Sequence, residues 1–245
     1  MFLKVENLTK YYDKLLVLKD VNLVLQPNMC FCIIGKNGSG KSTFLKCIMN
    51  LIEFNQGKIE IDNINYSEYI TKNKNRVGYL GENLNLIEEL TPNNYFKLLL
   101  YLLGNDSRYY GHLEYLIDFF FEDKSYLQKS ISKLSKGNKM KVALISTLFY
   151  SPELLILDEP FDGLDLITSH KLIQYINKIK NENRIIIIAS HTASHIEKIA
   201  TKIGIIRNNQ IDIKESINHL LKNSSDFENE LINLLNNTEL PNECR

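Results

Sequence analysis

The sequence predicts an α/β fold: a core with a mostly parallel sheet, an N-terminal antiparallel β subdomain and an inserted α-helical subdomain. Three observations predict it. Residues 29–34, 154–157 and 185–189 are compact apolar runs, the pattern of strands buried on both faces of a parallel sheet. A glycine-rich turn joins the first run to a helical stretch at 42–49, and a helical stretch at 165–180 bridges the other two, which is the rhythm of strand-helix-strand units. Between these units, residues 92–121 switch to helical periodicity.

Taken in order, alternation over residues 2–6, 15–19 and 21–25, ended by Pro27, predicts three short antiparallel strands. Residues 58–61 read as a further edge strand. In the helical region Tyr95, Phe96, Leu98, Leu99 and Leu102, then Leu113, Leu116, Ile117 and Phe120, recur around a break at 104–107. This makes the insertion span roughly residues 86–136. Near the end, residues 203–206 and 211–213 flank Asn208-Asn209, a dipeptide suited to a tight hairpin. One domain over residues 1–222 is expected, followed by a polar tail, 223–245, that forms an accessory helix or a frayed end.

The bulk composition narrows the function classes. A chain of 245 residues is long enough to bury a sizeable core. Twenty-nine basic side chains balance 29 acidic ones, so no bulk field draws the protein to nucleic acid, and no nucleic-acid partner is expected. No apolar run approaches the roughly 18 residues of a membrane span, so the chain is not expected to cross a bilayer alone. The opening MFLKVENLTK lacks the layout of a secretory signal, and a cytoplasmic location is expected. Cys30, Cys32, Cys47 and Cys244 lack zinc-site spacing and read as core or surface thiols, with Cys30 and Cys32 on one face of one strand. His191 and His195 have i, i+4 spacing without an intervening carboxylate, so they are not expected to bind a metal.

Two segments carry chemistry. GKNGSGKST, residues 35–43, fits G-x-x-x-x-G-K-[ST] between a buried strand and a helix. Gly35, Gly38 and Gly40 let the loop, with Asn37 and Ser39, curl its amides into one concavity, to which the helix adds its positive end. Lys41 then contacts the outer phosphate oxygens, Ser42 ligates Mg²⁺ and Thr43 adds a hydroxyl. In LLILDEP, residues 154–160, Asp158 emerges at the carboxyl end of a central strand and holds Mg²⁺ through water, while Glu159 polarises the attacking water. Together they predict a P-loop NTPase that binds and hydrolyses ATP with Mg²⁺.

With these motifs in place, residues 2–213 or so resemble the ATP-binding subunits of ABC transporters. The family signature LSGGQ corresponds to Leu134, Ser135, Lys136, Gly137 and Asn138, with lysine and asparagine departing from the pattern. The resemblance implies that Ser135 and Gly137 face the γ-phosphate held by a partner. It implies that Tyr12 stacks on adenine, with Tyr11 as the fallback, and that Glu82 in VGYLGEN takes the Q-loop position and a place near the metal. Asp165 in FDGLD matches the aspartate that crosses a dimer interface. His191 matches the switch histidine at the γ-phosphate. The partners implied are a second ATP-binding subunit, identical or not, and an integral membrane transport subunit docked near Glu82 and residues 92–134. The chain would then lie peripherally on the inner face of the cell membrane. The LSKG and YLGE forms resemble two-component exporters of peptides, antibiotics or lipids. Two alternatives share the core: a soluble ATPase serving ribosomes, DNA or iron-sulfur assembly, and a small-metabolite kinase.

Overall fold

The structure, a computed structural model, describes residues 1–214 and 227–236. In chain order the strands are β1 (Leu3–Tyr12), β2 (Leu15–Leu25), β3 (Met29–Ile34), β4 (Gln56–Ile61), β5 (Ile64–Asn65), β6 (Val77–Leu80), β7 (Leu154–Asp158), β8 (Ile185–Ala189), β9 (Lys202–Arg207) and β10 (Gln210–Lys214). The helices among the described residues are α1 (Lys41–Ile48), α2 (Tyr66–Lys72), α3 (Pro92–Leu102), α4 (Arg108–Phe120), α5 (Lys136–Leu148), α6 (Leu166–Ile179), α7 (Ala193–Ile199) and α8 (Phe227–Asn236). An antiparallel sheet of order β2-β1-β4-β5 packs against a six-stranded sheet of order β10-β9-β3-β8-β7-β6. In the larger sheet every pairing is parallel except that of β10 with β9.

The apolar runs are continuous because each strand feeds two cores. Phe31 and Ile33, Leu154 and Ile156, and Ile185 and Ile187 pack with the antiparallel sheet and α1. Cys30 and Cys32, Leu155 and Leu157, and Ile186 and Ile188 pack with the helices on the other face. This is the two-fold alternation of a strand with both faces covered. Cys30 and Cys32 accordingly lie side by side, with sulfurs 3.8 Å apart. Cys244 lies outside the described residues.

The helical insertion follows its sequence pattern. α3 begins with Pro92 at its first position after Thr91, whose hydroxyl accepts a hydrogen bond from the Asn94 amide. The chain turns through Gly104 in a left-handed conformation and restarts as α4. The Asn208-Asn209 hairpin also forms, with φ of 47° and 65°, as a two-residue turn of this type requires. It does more than turn. The Asn209 side-chain amide donates to the carbonyl oxygens of Leu16 (2.7 Å) and Val17 (3.3 Å), and the Lys19 amide donates to the Asn209 carbonyl at 2.7 Å. This pins the end of the parallel sheet to β2.

Two expectations need correction. The three short N-terminal strands are two long ones, because irregular positions near Asn7 and Asp20, both at positive φ, let β1 and β2 run on through their polar breaks. Residues 58–61 belong to a strand between β1 and β5, so β4 is not an edge strand, although its outer neighbour is only two residues long. β6, for which the sequence predicts no strand, is one of the two outer strands of the larger sheet. It is short, contains Gly78, and gives little periodic signal. The tail contributes α8, whose Phe227 and Leu231 are buried against the helical face.

Two features of the packing give measurable expectations. His112 of α4 places Nδ1 2.8 Å from the Phe149 carbonyl and Nε2 3.0 Å from the Tyr175 hydroxyl, a pairing that suits the neutral ring. Burial pushes its pKa down, the Phe149 carbonyl opposes this only in part, and Arg184 and Lys178 add to the depression. The folded state therefore favours the neutral ring, and its contribution to stability is present above the ordinary histidine pKa of about 6.5 and lost as pH falls through the lower folded value. Urea midpoints should decline more steeply below about pH 6.5 for the parent than for His112→Gln; parallel curves would refute this. A Cβ on Gly35 would lie 2.1 Å from Ile206 Cγ2 and 2.5 Å from Ser39 Oγ. Gly35→Ala should cost about 1–3 kcal/mol in urea unfolding. Combining it with Ile206→Ala should give a non-additive pair coupled by roughly 1 kcal/mol, whereas simple additivity would show that the close approach is not the cause.

Candidate functional site

Three loops leave the same edge of the parallel sheet. Ile33 of β3 pairs with Ala189 of β8, and Ala189 pairs with Asp158 of β7, so the chains beyond these positions emerge side by side. They are the glycine-rich loop, the segment starting at Ser190, and the turn starting at Glu159. This is the strand end at which open parallel sheets bind ligands.

The first loop reaches its shape through Gly38 and Gly40, with φ of 76° and 107°, values that L side chains rarely adopt. Gly40 precedes α1 directly, and no acidic residue occupies the helix's first turn, so its amide end remains available to an anion. Lys41 is buried, and its ammonium donates to the carbonyl oxygens of Gly35 (2.8 Å) and Lys36 (3.4 Å). It also stands 3.9 Å from Glu159 Oε1.

Asp158 is 1% exposed, and neither of its carboxylate oxygens has a hydrogen-bond partner. Burial raises its pKa; the Ser42 hydroxyl approaches closely enough to offset this in part without completing a hydrogen bond, while Glu159 and Glu82 reinforce the rise. A buried orphan carboxylate beside a hydroxyl and a phosphate-type loop fits a hard divalent cation. Among the described residues no group of three or more His, Cys, Asp or Glu side chains could hold a metal.

Glu159 occupies the left-handed region at φ 49°, uncommon outside glycine and a source of local strain. Its amide donates to the Ala189 carbonyl at 2.9 Å. Oε2 accepts a hydrogen bond from the His191 amide at 3.3 Å and lies 3.0 Å from His191 Nδ1. One carboxylate thus links the ends of β7 and β8 and faces the lysine of the loop after β3.

Lys41, Glu159 and His191 line a cleft of about 590 Å³, together with Tyr12, Val17, Asn37, Gly38, Gly40, Ser42, Thr43, Glu82 and Asp162, whereas the buried Asp158 is not among the lining residues. Tyr12 is half-exposed at the end of β1 with Lys10 Nζ 4.8 Å from its ring centre, whereas Tyr11 is not among the lining residues. Gly35 and Ser39 of the loop are not among the lining residues, and the Ser39 hydroxyl is buried without a hydrogen-bond partner. Ser135, Gly137 and Asp165 do not line the cleft. Ser135 caps α5 by accepting from the Asn138 amide at 3.3 Å, and Asp165 caps α6 by accepting from the Thr168 amide at 2.7 Å. Val17 and Asp162 are lining residues absent from the sequence prediction. Val17 packs against Gly40 from a strand whose pairing only the fold reveals, while Asp162 stands in the FDGLD segment, where only Asp165 was singled out.

Comparison with known proteins agrees with this geometry. The ABC transporter family model matches residues 18–162. The zinc import ATP-binding protein ZnuC of Buchnera aphidicola is 34% identical over 240 residues, covering 91% of this chain and 88% of the relative. The lantibiotic transport ATP-binding protein SrtF of Streptococcus pyogenes is 31% identical over 232 residues, covering 92% and 98%. A solved ATP-binding subunit of an ABC transporter superposes with a TM-score of 0.86 at 28% identity, over 97% of this chain and 100% of that one. The chain belongs to the ABC transporter family, as one of its ATP-binding, ATP-hydrolysing subunits.

Proposed function

We propose that this chain powers export of a peptide, antibiotic or lipid by hydrolysing ATP at the cleft between the glycine-rich loop and Glu159, in contact with a separate membrane subunit. The observation that carries the chemistry is the meeting of Glu159 with Lys41 and His191 at one sheet edge. The LSKG signature and the YLGE segment support export, and SrtF's name, a lantibiotic transporter's, is in line with them. ZnuC is named for import, so a solute-binding partner found with this chain would defeat the export reading.

In this reading the Tyr12 ring stacks on adenine, and Gly35 through Gly40 present backbone amides to the phosphates. Lys41 pairs with the outer phosphate oxygens. Ser42, Asp158 and Glu82 would hold Mg²⁺, which would supply charge neutralisation on the phosphate oxygens. Glu159 accepts a hydrogen bond from the attacking water and draws off its proton, while His191 holds the Glu159 carboxylate in place and contacts the γ-phosphate. Thr43 adds a hydroxyl at the loop.

Ser135, Gly137 and Asp165 stand outside the chain's own cleft, which suits residues that serve a second subunit. A single phosphate loop supplies half of a nucleotide sandwich, so two such subunits pair head to tail and separate after hydrolysis. Among the described residues no helix is long and apolar enough to cross a membrane. Attachment at the inner face of the cell membrane therefore falls to the membrane subunit, docked beside Glu82 and the inserted lobe at about residues 86–136. The domain is read as residues 1–222 with a tail at 223–245, of which 215–226 and 237–245 lie outside the described residues.

Glu159→Gln should leave ATP binding intact by calorimetry, nearly abolish turnover and accumulate an ATP-bound dimer on size exclusion. Hydrolysis near the parent rate would assign the base elsewhere. Lys41→Ala should weaken nucleotide binding itself, by roughly tenfold or more in Kd. An unchanged Kd would remove the lysine from the phosphate site.

A further inference from the structure

The first turn of α5 carries Lys136 and Lys139 and no acidic residue, an arrangement that the positive end of a helix disfavours. Each lysine is held by an acid outside the helix. Lys139 Nζ donates to Glu88 Oε1 at 2.6 Å, and Lys136 Nζ donates to Asp162 Oδ2 at 2.6 Å. Slightly further along, Lys141 Nζ lies 3.8 Å from Asp165 Oδ2 and 5.7 Å from the Phe121 ring centre. Asp162 and Asp165 mark the middle and the end of the turn that begins at Glu159.

Packing reinforces the charges. The stem of Lys136 crosses Gly163, where a Cβ would come within 2.9 Å of Lys136 Cγ. A Cβ on Gly137 would meet the Gly163 carbonyl at 2.7 Å. The grip reaches the strained residue directly, because the Asp162 amide donates to the Glu159 carbonyl at 3.1 Å. Asp162 also lines the nucleotide cleft. Lys136, one of the two departures from the LSGGQ pattern, therefore touches the turn that begins at Glu159.

We propose that Lys136 is a positioning residue for Glu159. Its pair with Asp162 and its stem over Gly163 hold the turn so that Glu159, in its left-handed conformation, keeps its carboxylate on His191 and Lys41. The inference rests on Glu159 acting on the attacking water. Exposed ion pairs of this kind contribute little to global stability, so loss of the pair should show in turnover rather than in unfolding.

The test is steady-state ATPase kinetics of Lys136→Met, Lys136→Arg, Asp162→Asn and the Lys136→Met/Asp162→Asn double variant, with calorimetric binding of Mg-ATP and thermal midpoints alongside. Lys136→Met and Asp162→Asn should each lower kcat about tenfold with KM and Kd within about twofold of the parent, and the double variant should be no slower than either single one. Lys136→Arg should restore most of the rate. Additive losses, an unchanged kcat in Lys136→Met, or a rate loss matched by a fall in thermal midpoint would overturn the proposal. Glu159→Gln measured in parallel separates the two ideas: if it still turns over, the assignment of Glu159 has failed, whatever Lys136 does.

Discussion

The in-register pairing of β3, β8 and β7 is the constraint on which the rest of the structure depends. Ile33, Ala189 and Asp158 sit in one row across the sheet, and the segments that follow them carry Lys41, Ser42, Glu159 and His191 of the proposed chemistry. A one-residue slip in β7 would send Asp158 to the other face and move Glu159 away from Lys41 and His191. Register in turn is fixed by burial. Alternate residues of each strand feed different cores, so a slip would exchange both sets at once.

That arrangement explains why charged groups can be placed so deep. Asp158 and Lys41 are both nearly inaccessible, yet they are not paired with each other: the lysine is occupied by loop carbonyls, and the carboxylate oxygens have no partner. Buried polar groups left this way are costly in a fold and are tolerated where a ligand completes them. The strain at Glu159 belongs to the same account. Its backbone is fixed by the hydrogen bond to Ala189 and its carboxylate by His191, so the conformation is over-determined by the neighbouring strand.

Much of this was legible in the sequence. The phosphate loop, the apolar strands, the capped and broken helices of the insertion and the Asn208-Asn209 hairpin each depend on local chemistry, and local chemistry is written in short runs of residues. What could not be read depends on pairing between distant segments. β1 and β2 appear as three pieces because Asn7 and Asp20 look like stops, while the partner strand that carries them through is elsewhere in the chain. β6 is hidden by its shortness. Val17 reaches the cleft from β2, whose backbone the turn between β9 and β10 holds through Asn209. The left-handed backbone at Glu159 carries no sequence signal, since glutamate is not a residue that marks such a conformation.

The attachment of Asn209 to the backbone of β2 has a consequence for recognition. By joining the hairpin of one sheet to a strand of the other, it ties together the two sheets that bring Tyr12 and the glycine-rich loop to one cleft. The spacing of Tyr12 from that loop is thereby preset, like the jaws of a fixed gauge. In the proposed reading, a molecule with a planar base and a polyphosphate chain matches that gap, and little protein freedom is surrendered when it does.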